Sequence, residues 1–139
     1  MPAPAEIASI AQECFNRRDS VKLLALWTDD FQYEGPGVSF TGKERMLQQE
    51  QNLWTAFPDI RSEISTFVAS DDRVALVTRM IGTHKGILRM GSGREVAATG
   101  RSVDFTLFVH MILRDGLIAS ERLVYDTAGL LRQLGILGK

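Results

Sequence analysis

The segment Ser102–Asp126 constrains the fold of this chain more than any other part of the sequence. Its residues, SVDFTLFVHMILRDGLIASERLVYD, form two long runs rich in strand-forming side chains, joined at Arg114-Asp115-Gly116. Aspartate followed by glycine between two such runs is typical of a tight β-hairpin turn. The segment therefore predicts a long antiparallel hairpin, around which the rest of the chain must build a sheet.

The first run of this hairpin has two different faces. Every odd position from Val103 to Leu113 is apolar, whereas the even positions mix apolar and polar side chains. Because side chains of a strand alternate between its two faces, these sets face opposite ways. We expect the even face to line a pocket, with Asp104, Thr106, Phe108, His110 and Ile112.

Length and composition narrow the class of protein. The chain has 139 residues, 45% of them hydrophobic and 24% charged, and its formal net charge is −1. These values predict one globular domain over residues 1–139, with no global field that would attract nucleic acid or a membrane surface. The N-terminus lacks the features of a signal peptide, and no window has the apolar length of a membrane span. We expect a cytoplasmic protein.

The order of elements favours an α+β fold. Apolar spacing predicts helices over residues 4–18, from Ser20, and from Lys43 to Phe57, with a short strand at residues 31–34. Strands follow at residues 60–68 and 74–83, then a glycine-rich crossing to Gly100, the long hairpin, and a short helix or turn within 127–137. Helices followed by a meander of strands indicate a sheet covered by helices on one face.

The odd face of the first hairpin strand then needs its own cover. If the helices cover the even face, an unbroken apolar row would lie exposed, which is rare on monomers. A second copy across a two-fold axis is the simplest cover. We expect a homodimer through Phe105, Leu107, Val109 and Met111.

Several short motifs occur together in this chain. They are Trp54-x-x-Phe57-Pro58-Asp59-Ile60, Gly82-Thr83-His84-x-Gly86, Thr99-Gly100-Arg101, Asp115-Gly116-x-Ile118, Tyr125-Asp126 and the ending Gly129-Leu130-Leu131-Arg132-Gln133-Leu134-Gly135. In this order they resemble the SnoaL-like polyketide cyclases of the nuclear transport factor 2-like superfamily, which also contains ketosteroid isomerase. The resemblance implies a cone of strongly bent antiparallel sheet, closed by three N-terminal helices around a pocket, in a dimer.

The resemblance also implies catalytic residues. The acid/base of these cyclases matches Asp126, and an arginine four residues before it matches Arg122. Their histidine is replaced here by Ile112, and His110 lies two residues upstream on the same strand face. The crossing from Gly82 to Gly100 is about five residues longer than the usual family loop.

Each candidate also has a structural interpretation. Asp126 is either the acid/base or an N-cap for the following turn, and Arg122 either stabilises an enolate or pairs with Asp104 or Glu34. His110 and His84 could serve the pocket or be core or rim residues. The remaining expected pocket residues are Tyr33, Trp54, Thr78 and Met80, of which Trp54 could equally be core.

The expected function is cofactor-free acid/base catalysis on a small hydrophobic or polycyclic substrate. An intramolecular aldol-type cyclisation of a polyketide-like compound is the leading reaction, and an isomerase, a hydrolase, a lyase or a non-catalytic ligand-binding dimer are the alternatives. Two histidines without nearby cysteine or carboxylate at ligand spacing predict no metal site. No nucleotide-binding or acyl-enzyme motif is present in the sequence.

Overall fold

A six-stranded sheet with helices on one face forms the body of the protein. The computed structural model describes residues 2–136, so residue 137 of the expected terminal helix lies outside the described part. The helices are α1 (Pro4–Arg17), α2 (Ser20–Leu26), α3 (Lys43–Ala56) and α4 (Thr127–Gln133). The strands are β1 (Trp27–Gly35), β2 (Val38–Thr41), β3 (Arg61–Ala69), β4 (Arg73–Thr83), β5 (Leu88–Arg89), β6 (Glu95–Val96), β7 (Ser102–Arg114) and β8 (Leu117–Tyr125).

The large sheet is strongly curved and mixed, with strand order β2-β1-β8-β7-β4-β3. All neighbouring strands are antiparallel except β1 and β8, which pair in parallel. The expected α+β class, with helices around a curved sheet, is confirmed. The expectation of a wholly antiparallel sheet is wrong at β1, because the crossover through α3, β3, β4 and β7 brings β8 alongside it in the same direction.

The hairpin between β7 and β8 forms as its sequence predicts. Asp115 has φ 54° and Gly116 has φ 79°, the pair of positive values that a type I′ turn requires. This turn matches the right-handed twist of the strands that it joins. The register then places His110 opposite Arg122 and Met111 opposite Glu121.

The two faces of β7 are reversed relative to the prediction. Leu107, Val109 and Met111, on the odd face, are only 7 to 8% exposed because the helices of the same chain cover them. Phe108, on the even face, is 57% exposed. The odd row, including half-buried Phe105, therefore belongs to the interior, and the dimer face that the sequence suggested is not open to a second copy.

Helix α1 covers the concave face of the sheet next to β3 and β4. Its apolar stripe is buried, and proline at its first position suits the start of a helix. Asn16 fixes its last turn to β3: its side-chain amide donates to Ser62 O (2.9 Å), and its Oδ1 accepts from Ser62 N (2.8 Å). This pair of bonds sets the distance between α1 and the sheet, and so the space between them.

Neither a membrane-spanning helix nor a cluster of metal-ligating side chains is found in the part of the chain that the structure describes. Among residues 2–136, no helix combines the length and apolar character needed to cross a bilayer. Within the same range, no three histidine, cysteine, aspartate or glutamate side chains group together in a way that could hold a metal ion.

Candidate active site

A cavity of about 110 Å³ lies between the concave face of the sheet and helices α1 and α3. Apolar side chains form most of its wall, including the odd face of β7. Seven polar or ionisable side chains join the wall: Gln12, Tyr33, Gln49, Glu50, Ser62, Thr78 and Glu121. A small apolar space with a few converging polar groups is the usual form of a small-molecule site.

Glu121 is the buried carboxyl group of this cavity. It lies in β8 and is 7% exposed, among Leu107, Val109 and Met111 of the neighbouring wall. Burial raises the pKa of Glu121 to about 7, because the charged form loses its hydration in an apolar environment. Near neutral pH the group can therefore both accept and return a proton.

Glu50 brings a second carboxyl group from α3 to the same cavity. Burial, and then the charge of Glu121, raise the pKa of Glu50 to about 8. Glu50 keeps some solvent exposure, whereas Glu121 is closed off on the sheet. Both carboxyl groups therefore titrate near neutral pH.

Tyr33 lies beside Glu121 on the neighbouring strand. The parallel register of β1 and β8 pairs these two residues, which places their Cα atoms roughly 5 Å apart on one face of the sheet. Burial raises the pKa of Tyr33 well above its usual range, with the charges of Glu121 and Glu50 as further causes. The hydroxyl therefore stays protonated and is available as a hydrogen-bond donor in the wall of the cavity that also contains Glu121. Its ring stacks on Phe40 with centroids 4.8 Å apart.

Three of the expected pocket residues line the cavity: Tyr33, Thr78 and Met80. Trp54 instead packs in the core, with its ring centroid 5.7 Å from that of Phe15 and the Arg18 guanidinium 5.6 Å from its own ring. Trp54 therefore packs against the core and does not line the cavity.

The expected pocket face of β7 lies on the outside of the sheet. Asp104 is exposed and bonds Arg79, with Nε to Oδ1 at 2.8 Å, while Thr106 and Phe108 are also exposed. His110 is partly exposed on a shallow outer groove, and Ile112 lies outside the cavity wall. The prediction that these five residues line the interior is wrong, because the helices cover the opposite face.

Arg122 lies on the same outer face. Its Nε is 2.6 Å from Glu34 Oε2, and the register places it between Glu34 of β1 and His110 of β7. Arg122 and His110 are therefore neighbours on the outer face of the sheet and lie outside the cavity. Arg122 therefore forms the salt bridge with Glu34, which was one of its two expected roles.

Asp126 lies at the end of β8, outside the cavity. It is exposed and is the N-cap of α4, where its Oδ1 accepts a hydrogen bond from Gly129 N (2.8 Å). Of the two interpretations of Asp126, the structure therefore contains the N-cap, because the strand ends before this residue and the chain turns into α4.

His84 is completely buried and lies against Phe57, with ring centroids 5.4 Å apart. Its Nδ1 accepts from Thr99 N (3.2 Å) and lies 3.0 Å from the Thr99 hydroxyl. Burial lowers the pKa of His84, so the ring is neutral. His84 therefore holds the two ends of the 84–101 crossing together and does not line the cavity.

Sequence reasoning missed Glu121 and Glu50. Glu121 is an odd-numbered residue of β8, and its register partner Met111 belongs to the odd face of β7 that was assigned to the outside. One pattern pointed to it: a glutamate surrounded by Ile118, Leu123 and Tyr125 on a strand is out of place in a buried row. Glu50 sits in the polar middle of α3, where nothing distinguishes it from its solvated neighbours.

The family model of SnoaL-like polyketide cyclases matches residues 5–134 of this chain. Among solved structures, IdmH from Streptomyces antibioticus, a proposed polyketide cyclase, is 28% identical with a TM-score of 0.80, over 95% of this chain and 98% of that chain. AclR from Streptomyces galilaeus, a proposed hydroxylase, is 26% identical with a TM-score of 0.80, over 99% of this chain and 85% of that chain. TsrD from Streptomyces laurentii is 22% identical with a TM-score of 0.83, over 96% and 95% of the two chains, and shows likeness of fold.

No curated protein sequence matches this chain significantly. The fold places the chain among the proteins with a ketosteroid isomerase-like arrangement of helices on a curved sheet. The chain belongs to the SnoaL-like polyketide cyclase family. This membership supports a small-molecule function of the cyclase or isomerase type.

Proposed function

We propose that this protein is a cofactor-free enzyme that moves a proton on a small, apolar carbonyl compound, with intramolecular aldol-type ring closure as its reaction. The observation that carries this proposal is the buried Glu121 carboxyl group in an apolar cavity that Tyr33, its partner on the neighbouring strand, also lines. Membership of the polyketide cyclase family supports the choice of reaction.

The first step is proton abstraction by Glu121. Its carboxylate takes a proton from a carbon next to a substrate carbonyl, and the electron pair of the broken C–H bond forms an enolate. The neutral Tyr33 hydroxyl donates a hydrogen bond to the enolate oxygen, where negative charge develops. A donor fixed in a dry cavity stabilises that charge more than water would.

The second step closes the ring. The enolate carbon attacks a second carbonyl carbon of the same molecule and forms a C–C bond, which leaves an alkoxide. Glu50, whose raised pKa keeps it protonated at neutral pH, gives its proton to that oxygen. Two carboxyl groups that both titrate near neutral pH thus supply the base and the acid, and proton exchange with solvent restores both. We assign the base to Glu121 in place of Asp126, whose carboxylate binds the α4 backbone.

Isomerisation of a double bond is the second candidate. It begins with the same abstraction and ends when a carboxyl group returns the proton to another carbon of the enolate. The pair Glu121 and Glu50 serves this reaction equally well, because both groups face one cavity. A lyase reaction and non-catalytic ligand binding are further alternatives for the same cavity.

Exchange of α-protons tests the step that cyclase and isomerase share. Cyclohexanone in D₂O near pH 7 should incorporate deuterium faster with the protein present, as followed by ¹H NMR. Glu121→Gln should lower this rate by about 10² to 10⁴-fold, the usual contribution of a general base. Glu34→Gln is the matched control, because Glu34 is an exposed carboxylate on the outer face of β1.

Asp126→Asn decides between the two candidate bases. We expect the Asp126→Asn protein to keep its exchange rate within about a factor of three, since this side chain lies outside the cavity. A loss in Asp126→Asn with full activity in Glu121→Gln would overturn the assignment. Binding of cyclohexanone without any exchange would leave only a ligand-binding function.

A further inference from the structure

We propose that the hairpin of β5 and β6 builds a second binding chamber that selects the substrate. The substrate class is then a neutral ketone with one small ring at Glu121 and an apolar chain that extends under this hairpin. The reacting end of this substrate rests on the proposed function, whereas the chamber for the chain does not.

A second cavity of about 90 Å³ adjoins the one that holds Glu121. The two cavities share wall residues from four elements of the sheet and α3: Tyr33, Gln49, Leu53, Met80, Leu107 and Leu123. A molecule that extends past Tyr33 from the Glu121 side therefore enters the second chamber without leaving the protein interior. The carboxyl groups mark one end of this space and the hairpin marks the other.

The hairpin supplies the outer wall of the second chamber. Leu88 is 5% exposed and lines the chamber with Met90, opposite Phe105, Tyr125 and Leu130. Arg89 also borders the chamber, but its Nε is 2.7 Å from Glu95 Oε2 on the surface. The side chains on the hairpin that border the chamber are therefore mostly apolar, and the Arg89 cation among them is already paired.

Backbone bonds and one close approach hold the hairpin in place. Lys85 N and Gly86 N both donate to Ala56 O at the end of α3, at 3.0 and 3.1 Å, and Met90 N donates to Arg94 O at 2.9 Å. Gly91 lies so close to Val38 that a Cβ atom there would be 2.7 Å from the Val38 Cβ. The chamber wall is therefore set by specific contacts between the hairpin, α3 and β2.

The size of the space limits the substrate. A cavity of about 150 Å³ holds one benzene molecule, and drug-sized ligands occupy roughly 300 Å³ or more. Only the two chambers together, of about 110 and 90 Å³, suit one small ring plus a short chain, and they do not admit a large polycyclic compound without opening of the wall. An anionic substrate is disfavoured, because the carboxylate of Glu121 would repel it.

A series of 4-alkylcyclohexanones, with chains from methyl to hexyl, tests the chamber. Each carbon buried in an apolar site should improve kcat/KM for α-proton exchange by about fourfold until the chamber is full. Met90→Trp should fill the chamber and remove this dependence on chain length, with cyclohexanone itself changed by no more than about twofold. Ile87→Trp is the matched control, because Ile87 lies on the same hairpin and is 46% exposed.

Binding separates this inference from the proposed function. Trp27 lines the first cavity, so its fluorescence should report ligand binding even if no exchange occurs. Affinity that rises with chain length in the parent protein and in Ile87→Trp, but not in Met90→Trp, supports the chamber whatever the catalytic result. Equal chain-length dependence in Met90→Trp and the parent, or none in the parent, overturns it. Met90→Phe serves as a smaller substitution should the tryptophan variant not fold.

Discussion

Burial of a carboxyl group among leucine and methionine side chains is unfavourable when the group is charged, and Glu121 is such a group. A raised pKa in the folded state means that folding takes up a proton between the unfolded and folded pKa values. The chain therefore retains at this position a residue that weakens the fold at neutral pH. A structural role would be served better by an apolar residue of similar size, which supports a chemical role for Glu121.

The pH dependence of stability follows from this shift. The folded pKa of Glu121 is about 7 against a reference value of 4.5, so the folded state binds more protons between these values. Below about pH 4.5 Glu121 is neutral in both the folded and the unfolded state, and its contribution to stability is complete. As the pH rises from 4.5 to about 7, the free energy of unfolding should fall by about 3 kcal/mol because of this group. Urea unfolding at several pH values should show this fall.

Substitution of Glu121 provides the control for this prediction. Glu121→Gln should remove the part of the fall that Glu121 causes, leave the part due to Glu50, whose pKa is also raised, and make the protein more stable than the parent at pH 7.5. Glu34→Gln should keep the whole fall, because Glu34 is exposed. A parent protein whose stability rises steadily from pH 4.5 to 7 would show that Glu121 is ionised and well solvated.

Asp126 gives a second prediction at the scale of one residue. Asp126→Ala removes the acceptor for Gly129 N and should lower the free energy of unfolding by about 1 kcal/mol. Asp126→Asn, which keeps a capping oxygen, should cost less. Thermal unfolding measures both changes, and a fully stable Asp126→Ala protein would argue against the cap.

Some site residues could be predicted from the sequence and others could not. Tyr33, Thr78 and Met80 line the cavity as expected. Glu121 could not be identified as a cavity residue, because its position inside or outside depends on which face of β8 the helices cover. That choice is made by contacts between distant elements, and a pattern within one strand does not contain it.

At the scale of elements, the β7 strand shows why the inner and outer faces were predicted the wrong way round. Its even positions include Phe108 and Ile112, so neither face is wholly polar and alternation alone gives no direction. The strand, its turn and its partner strand were predictable, since these depend on local residues such as Asp115 and Gly116. The covering helices settle the direction through packing that spans the whole chain.

Asn16 offers a test of how α1 is held on the sheet. Asn16→Ala removes both bonds to the Ser62 backbone and leaves partly buried groups unpaired, so the free energy of unfolding should fall by about 2 kcal/mol. Asn16→Asp keeps the acceptor for Ser62 N and loses the donor to Ser62 O, and should lie between the parent and Asn16→Ala. Equal stability of all three in urea unfolding would show that α1 does not depend on these bonds.

At the scale of the whole molecule, an apolar patch remains on the outer face of the sheet. Phe67, Val68, Phe108 and Val124 are between 55 and 77% exposed and border one shallow groove. Charged side chains near it are paired within the chain, as in Arg122 with Glu34 and Arg79 with Asp104. A partner of opposite charge is therefore not required. A second copy presents the same apolar patch, and a net charge of −1 gives little repulsion between copies.

We therefore keep the prediction of a homodimer and move it to this outer face. Phe108→Glu should convert the dimer to monomers at micromolar concentration, as measured by sedimentation velocity. Val21→Glu is the matched control, because Val21 is 81% exposed on α2, away from the patch. A parent protein that stays monomeric at high concentration, or a Phe108→Glu protein that stays dimeric, would refute this interface.

The parallel pairing of β1 with β8 has a consequence for how the protein is made. Tyr33 and Glu121 stand side by side in the sheet, yet about 90 residues of chain separate them. Closing so long a loop is slow compared with forming the local hairpins, so this contact is expected late in folding. A ribosome must synthesise nearly the whole chain before the two groups can meet. Until then β1 exposes an unpaired edge, which a chaperone can bind.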